Sequence, residues 1–320
     1  MPAISATAPG KLILFGEHAV VYNHPAIAIP FNGVHAKATV FATPIAPTGR
    51  VRIEAQAIGL DQTLDQLAAD HPFAIAIHGV MKTLGIHWLP ACHIRITSSI
   101  PIAAGMGSSA AVSIALSRAL ATFLGHPLED SAVNVIAFQV EQQSHGTPSG
   151  VDNTVISFGR PVYFVRNQPI EFLMIREPLD LLVADSGIAA ATGPMVAGVL
   201  QRFQADPETY GTYFDQIANL VKQARTDLES SAGVHLGPLM TENHSLLQKI
   251  GVSTPELDRL VEAALDAGAL GAKLTGGGGG GNIIALVANN QIEKATQALL
   301  AAGAHRTWLL NLPRYKEPAS

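Results

Sequence analysis

Apolar and polar positions alternate over residues 34–41 and 51–57, which predicts half-buried strands. Residues 92–97 repeat with a period of two, with Cys92, Ile94 and Ile96 on one face. Residues 108–124 and 128–144 carry apolar positions three and four apart, the spacing of helices. From Ala191 onward helical patterns dominate, over 193–204, 207–231, 239–250 and 254–267. A strand at 282–288, a helix at 291–302 and a strand at 305–310 follow. Strands and helices mix without a regular βαβ repeat, so the expected class is α+β. Two domains are expected, 1–175 and 176–320, divided near Arg176 where residues 161–175 close the first half.

Composition narrows the function classes. Of 320 residues 48% are hydrophobic and 14% charged, against a usual ~25% charged, so the chain can bury a large core. Disorder and a disulfide-stapled scaffold are excluded, the latter because Cys92 is the one cysteine. The net charge of −5 comes without any basic run, which argues against a nucleic-acid partner. No apolar stretch reaches the ~18 residues of a membrane span. Met1-Pro2-Ala3-Ile4-Ser5 lacks the basic start and apolar block of a signal peptide, so a cytoplasmic enzyme is expected.

Four segments could carry chemistry. Ile100-Pro101-Ile102-Ala103-Ala104-Gly105-Met106-Gly107-Ser108-Ser109-Ala110 follows a strand and opens an Ala-rich helix. Glycines let backbone approach an anion, and the first helical N–H groups are unpaired donors, so this reads as a phosphate cradle. A plain turn with a serine N-cap fits the same residues. Gly105-x-Gly107-x-x-Ala110 also matches the dinucleotide fingerprint formally, but no βαβ unit follows, and the P-loop pattern is absent. Second, Glu141 ends a helix and the loop after it delivers Asp152, a pairing that suits a metal ligand with a base. An Asp at a turn is also a common structural feature. Third, Lys11 follows a Pro9-Gly10 turn and leads an apolar strand, as a cation for phosphate or as an edge-strand gatekeeper. Fourth, Lys273-Leu274-Thr275 precedes a run from Gly276 to Gly281, a loop lying against a ligand or backbone rather than a linker.

In combination and in this order, the segments resemble the GHMP kinases, from Ala8 to Val287. Within that superfamily the text is most similar to the mevalonate kinases. Phe15-Gly16-Glu17-His18-Ala19-Val20-Val21-Tyr22, Glu141 with residues 145–153, and Glu242-Asn243-His244 carry the likeness. The resemblance implies a two-domain α+β fold with its active site in the cleft between domains, and ATP on the glycine loop. It implies a catalytic pair of Asp152 as base and Lys11 as charged neighbour. Nucleotide binding would fall to Pro101, Ala104, Gly105, Met106, Gly107, Ser108, Ser109 and Ala110, and Mg2+ to Ser109 and Glu141. Mevalonate would lie near Glu17, His18, Ser149, Gly150, Thr192, Gly277 and Gly278. A homodimer is compatible with the resemblance.

One departure bears on the acceptor. The family usually has Lys or Arg directly after the threonine equivalent to Thr192; here Gly193 stands there, and residues 188–191 carry no charge. That change weakens phosphate neutralisation or signals a different acceptor. Phosphomevalonate kinase or another small-alcohol kinase is the first alternative, though an acceptor already bearing phosphate should demand more Lys and Arg. A phosphorylating decarboxylase and a non-catalytic ATP sensor are the others.

Overall fold

A computed structural model describes residues 3–101, 104–145, 148–230 and 235–316. Ile102 and Ala103 of the glycine segment, Gly146 and Thr147 of the loop before Asp152, and Ser231 lie outside the described residues. The chain divides into two compact units, each built from separated segments. One takes Met1–Gly10, Val34–Pro101 and Gly107–Gly159; the other takes Lys11–Gly33, Ile102–Met106 and Arg160–Ser320. A single cut at 175/176 does not describe this division. Two earlier segments join a unit that otherwise begins at Arg160, and pairing at long sequence separation leaves no local signature.

Strands β1 (Ala3–Phe15) and β2 (Ala26–Ala42) contribute to both units. In the first unit, β3 (Val51–Ala55), β4 (Leu60–Thr63) and β5 (Cys92–Ser98) complete the strand order β4-β3-β5-β2. Residues 92–98 pair antiparallel with 36–42, and β3 runs parallel to β5. Helix α1 (Pro72–Leu84), unassigned in the sequence reading, bridges these parallel strands, with Pro72 in its first turn and Gly85 closing it in the left-handed conformation. Helix α2 (Ser108–Phe123) packs against α1, α3 (Asp130–His145) and α4 (Val151–Phe158). Its alanines explain how one helix takes three neighbours: Ala110, Ala111, Ala115, Ala119 and Ala121 are fully buried and let the backbones close in.

In the second unit β6 (Val162–Phe164) pairs with the start of β2 and with β7 (Glu171–Phe172). A separate antiparallel sheet has the order β11-β8-β10-β9, from β8 (Leu179–Asp185), β9 (Gly271–Thr275), β10 (Asn282–Leu286) and β11 (Arg306–Leu312). Every residue of β9 and β10 is buried. The helices are α5 (Thr192–Ala205), α6 (Pro207–Glu229), α7 (Leu236–Lys249), α8 (Pro255–Asp266) and α9 (Ile292–Ala301). α7 and α8 cover β9, and α9 covers β8 and β11. No helix among the described residues is long and apolar enough to cross a membrane.

Two local expectations change. Pro9-Gly10 forms no turn, because β1 continues straight through it to Phe15. Among the described residues β1 forms a strand ladder with β2 alone, so it is an edge strand, where a residue lacking N–H is tolerated. Asp152 is not on a loop but in the first turn of α4, whose start Gly150 sets with φ of 93°.

Candidate active site

The first unit presents polar groups at helix starts. Gly107, at φ 73°, occupies the N-cap of α2, and no side chain caps that helix. The serine N-cap is therefore not what forms here. The first-turn N–H groups carry the partial positive charge of the helix end, with Ser108 and Ser109 half-buried beside them. Helix α3 supplies Glu141, whose side chain is buried. In α4, Asp152 lies where a carboxylate gains from the helix dipole. The short helix is tied to two neighbours and to its own first turn. Asn153 Nδ2 donates to Asn134 Oδ1 of α3 at 2.6 Å, Arg118 Nη2 of α2 donates to the Ser157 carbonyl, and Thr154 Oγ1 donates to the Gly150 carbonyl at 2.7 Å. Ser149 Oγ accepts from the Val151 N–H at 3.4 Å.

The second unit builds its part around the glycine run. Lys11 is 3% exposed, within β1, and its N–H donates to the Met106 carbonyl at 3.1 Å. Asn282 Nδ2 donates to the Ala104 carbonyl at 2.7 Å, so residues 104–106 are held at both ends. Ala104 and Met106 are themselves buried and act as anchors, while Gly105 faces Gly276 backbone to backbone. Thr275 Oγ1 accepts from the Ile13 N–H at 3.0 Å and donates to the Ile13 carbonyl at 2.9 Å, stitching β1 to β9. Gly278 has φ of 74°, and a Cβ there would stand 2.1 Å from the Val252 carbonyl oxygen. Gly277 lies against the side chain of Thr192, at the start of α5.

Beneath the run, Glu17 and Lys273 form an ion pair with neither side chain exposed, and Lys273 Nζ also donates to the Leu274 carbonyl at 2.8 Å. Burial pushes the Glu17 carboxyl up and the Lys273 ammonium down, and each charge opposes the shift of the other. Glu17, expected near the acceptor, is thus covered by protein and supports its neighbour His18. That residue has φ of 60°, unusual for a residue with a side chain. Its Nε2 lies 2.9 Å from the Gly277 carbonyl, which can only accept, so Nε2 carries the hydrogen. Burial lowers the His18 pKa to about 4, helped by the Arg202 charge and opposed by the Gly277 bond. At neutral pH His18 is therefore an uncharged strut between the β1 turn and the glycine run.

The second unit thus brings together Lys11, residues 104–106, Glu17, His18, Thr192, Gly277 and Gly278. The first holds Pro101, Gly107, Ser108, Ser109, Ala110, Glu141, Ser149, Gly150 and Asp152. The chain matches the GHMP kinases N terminal domain over residues 72–160 and the GHMP kinases C terminal domain over 224–305. A mevalonate kinase of Thermococcus sibiricus is 36% identical, covering 94% of each chain. That of Pyrococcus horikoshii is 34% identical, covering 94% of this chain and 93% of the relative. Among solved structures, L. major mevalonate kinase in complex with R-mevalonate superposes with a TM-score of 0.82 at 30% identity, over 97% of this chain and 96% of that one.

The chain belongs to the mevalonate kinase family of GHMP kinases. As a member of that family it is a phosphotransferase. Two features of this mevalonate kinase-type chain escaped the sequence reading. Lys273 was quoted only as the residue leading into the glycines. A lysine between Ala272 and Leu274 in a wholly buried strand needs a carboxylate partner, and that demand was the available signal. Arg202, on α5, gave no local signal at all.

Proposed function

We propose that the chain transfers the γ-phosphoryl group of ATP to (R)-mevalonate, releasing ADP and 5-phosphomevalonate. The observation that carries this reading is the first turn of α2, uncapped by any side chain and flanked by Ser108 and Ser109, in the unit that holds Asp152 at the start of α4. Backbone N–H groups there bind phosphate oxygens. Asp152 accepts a hydrogen bond from the acceptor hydroxyl and takes its proton as the oxygen attacks phosphorus. Lys11 offsets the negative charge of the transferring group. His18, Ser149, Gly150, Thr192, Gly277 and Gly278 hold the acceptor, and Glu17 acts on it only through the turn it supports. Residues 1–175 are the nucleotide-binding half in this proposal and 176–320 the second half.

Ser109 and Glu141 would hold Mg2+. A hydroxyl and a buried carboxylate are the hard oxygen donors this ion takes, with water and phosphate oxygens filling the rest. When bound, Mg2+ neutralises charge on the β- and γ-phosphates.

A coupled assay of ADP release across mevalonate, phosphomevalonate, homoserine and galactose tests the reading. Turnover of mevalonate well above the others is expected, with Asp152→Asn and Lys11→Met both slow. Equal or faster turnover of another acceptor would overturn it.

A further inference from the structure

Arg202 is the first charged residue after Asp185, so the start of α5 carries no cation of its own. Its guanidinium leans back one turn along the helix, toward Gly198. Helical side chains lean toward the N-terminus, and Gly198, one turn earlier, leaves the space: a Cβ on Gly198 would lie 3.5 Å from Nη1 of Arg202. The fork rests on the loop after α7. A Cβ on Gly251 would lie 3.3 Å from the Arg202 Cζ, and Nη2 donates to the Gly251 carbonyl at 3.2 Å. The next residue, Val252, accepts from the Gly279 N–H at 2.9 Å, so the guanidinium adjoins the support of the glycine run.

This cation is under-used. Among the described residues no carboxylate pairs with it, and its Nε is buried without an acceptor. Nearby, the Tyr22 hydroxyl is also buried and without a partner, its ring stacked on Phe214 at 4.4 Å and tilted against Phe203 at 5.0 Å. Phe203, the residue after Arg202, packs on the Tyr22 ring and so brings this part of α5 to the segment that carries His18, and the Arg202 charge acts on both Tyr22 and His18. A half-buried guanidinium whose Nε lacks an acceptor, together with an orphan hydroxyl, supplies donors for an anion with two oxygens.

We propose that Arg202 and the Tyr22 hydroxyl form the subsite for the carboxylate of a short hydroxy-acid acceptor. Arg202 thereby sets acceptor specificity in place of any cation at position 193. The inference rests on the mevalonate reading above and names the group that recognises the acid end of the acceptor.

Initial rates with (R)-mevalonate and with its carboxyl-reduced analogue, 3-methylpentane-1,3,5-triol, test it in wild type, Arg202→Met, Arg202→Lys and Tyr22→Phe. Arg202→Met should raise the KM for mevalonate about tenfold to a hundredfold, the loss of a charge-assisted hydrogen bond, with the KM for ATP within about twofold. Its preference for mevalonate over the triol should collapse. Arg202→Lys should keep part of that preference, and Tyr22→Phe should weaken it about threefold. Gly193→Arg fits in open space and should restore mevalonate binding to Arg202→Met. A folded Arg202→Met protein with wild-type KM, or with both acceptors weakened equally, overturns the subsite and leaves the kinase reading intact. Should Arg202→Met not fold, an unchanged preference in Tyr22→Phe and in Arg202→Lys overturns it. Wild type that turns over no mevalonate defeats the reading itself.

Discussion

The helix starts of the first unit and the glycine run of the second both use glycine, but they hold their shape differently. Gly107 and Gly150 open α2 and α4, and what fixes those helices is packing and hydrogen bonding to neighbouring helices close in the chain. The glycine run has no helix to fix it. It is held by Val252, Thr192, His18 and the buried Glu17–Lys273 pair, groups that come from elements far apart in sequence. A site on a helix end inherits its order from the helix, whereas a loop of glycines must borrow order from whatever surrounds it.

The sharpest way to break this comparison is to remove one partner of the buried pair. Lys273→Met leaves the Glu17 carboxylate buried and unpaired, and should cost about 4–5 kcal/mol in urea unfolding. The double change Lys273→Met with Glu17→Met should recover most of that loss. A single variant as stable as wild type would show that the run does not depend on the pair. In the first unit, Asp152→Asn should leave stability nearly unchanged and lower kcat about a thousandfold, about 4 kcal/mol of barrier, read in single-turnover experiments.

The His18 strut gives a pH test. Its folded pKa of about 4 lies below the ordinary histidine value, so between the two only the unfolded chain binds the proton. The contribution is complete above pH 6.5 and is lost as pH falls toward 4, up to about 3 kcal/mol. Unfolding at pH 7 and 4.5 should show that much more acid sensitivity in wild type than in His18→Asn, a residue that tolerates positive φ. Equal sensitivity would remove His18 as a buried neutral group.

Two glycine changes read the smallest effects. Gly278→Ala meets the Val252 carbonyl and a positive φ, and should destabilise by about 2 kcal/mol. Gly193→Ala meets open space and should change stability by less than about 0.5 kcal/mol. Similar thermal shifts for both would mean that the run is slack.

Residues 108–124, 193–204 and 254–267 were legible as helices because helical periodicity repeats within a few turns, and their observed bounds differ by a residue or so. The short helix at Asp152 was not, since eight residues after a Gly-Thr-Pro-Ser-Gly stretch read as loop until α3 and α2 are there to pack on. Lys11 was singled out correctly as a lysine in an apolar strand, but its setting was misjudged, because Pro9-Gly10 signals a turn locally and only the edge position of β1 overrides it.

By itself, then, the order of residues determined the class of the fold and the family, since each rests on residue types at short spacing. Tertiary structure alone decided that Glu17 faces Lys273 rather than a ligand, that His18 is neutral and bonded to Gly277, and that Arg202 rests on the Gly251 backbone. The physical reason is desolvation: the state of an ionisable group depends on which distant elements exclude water from it, and no local pattern encodes that.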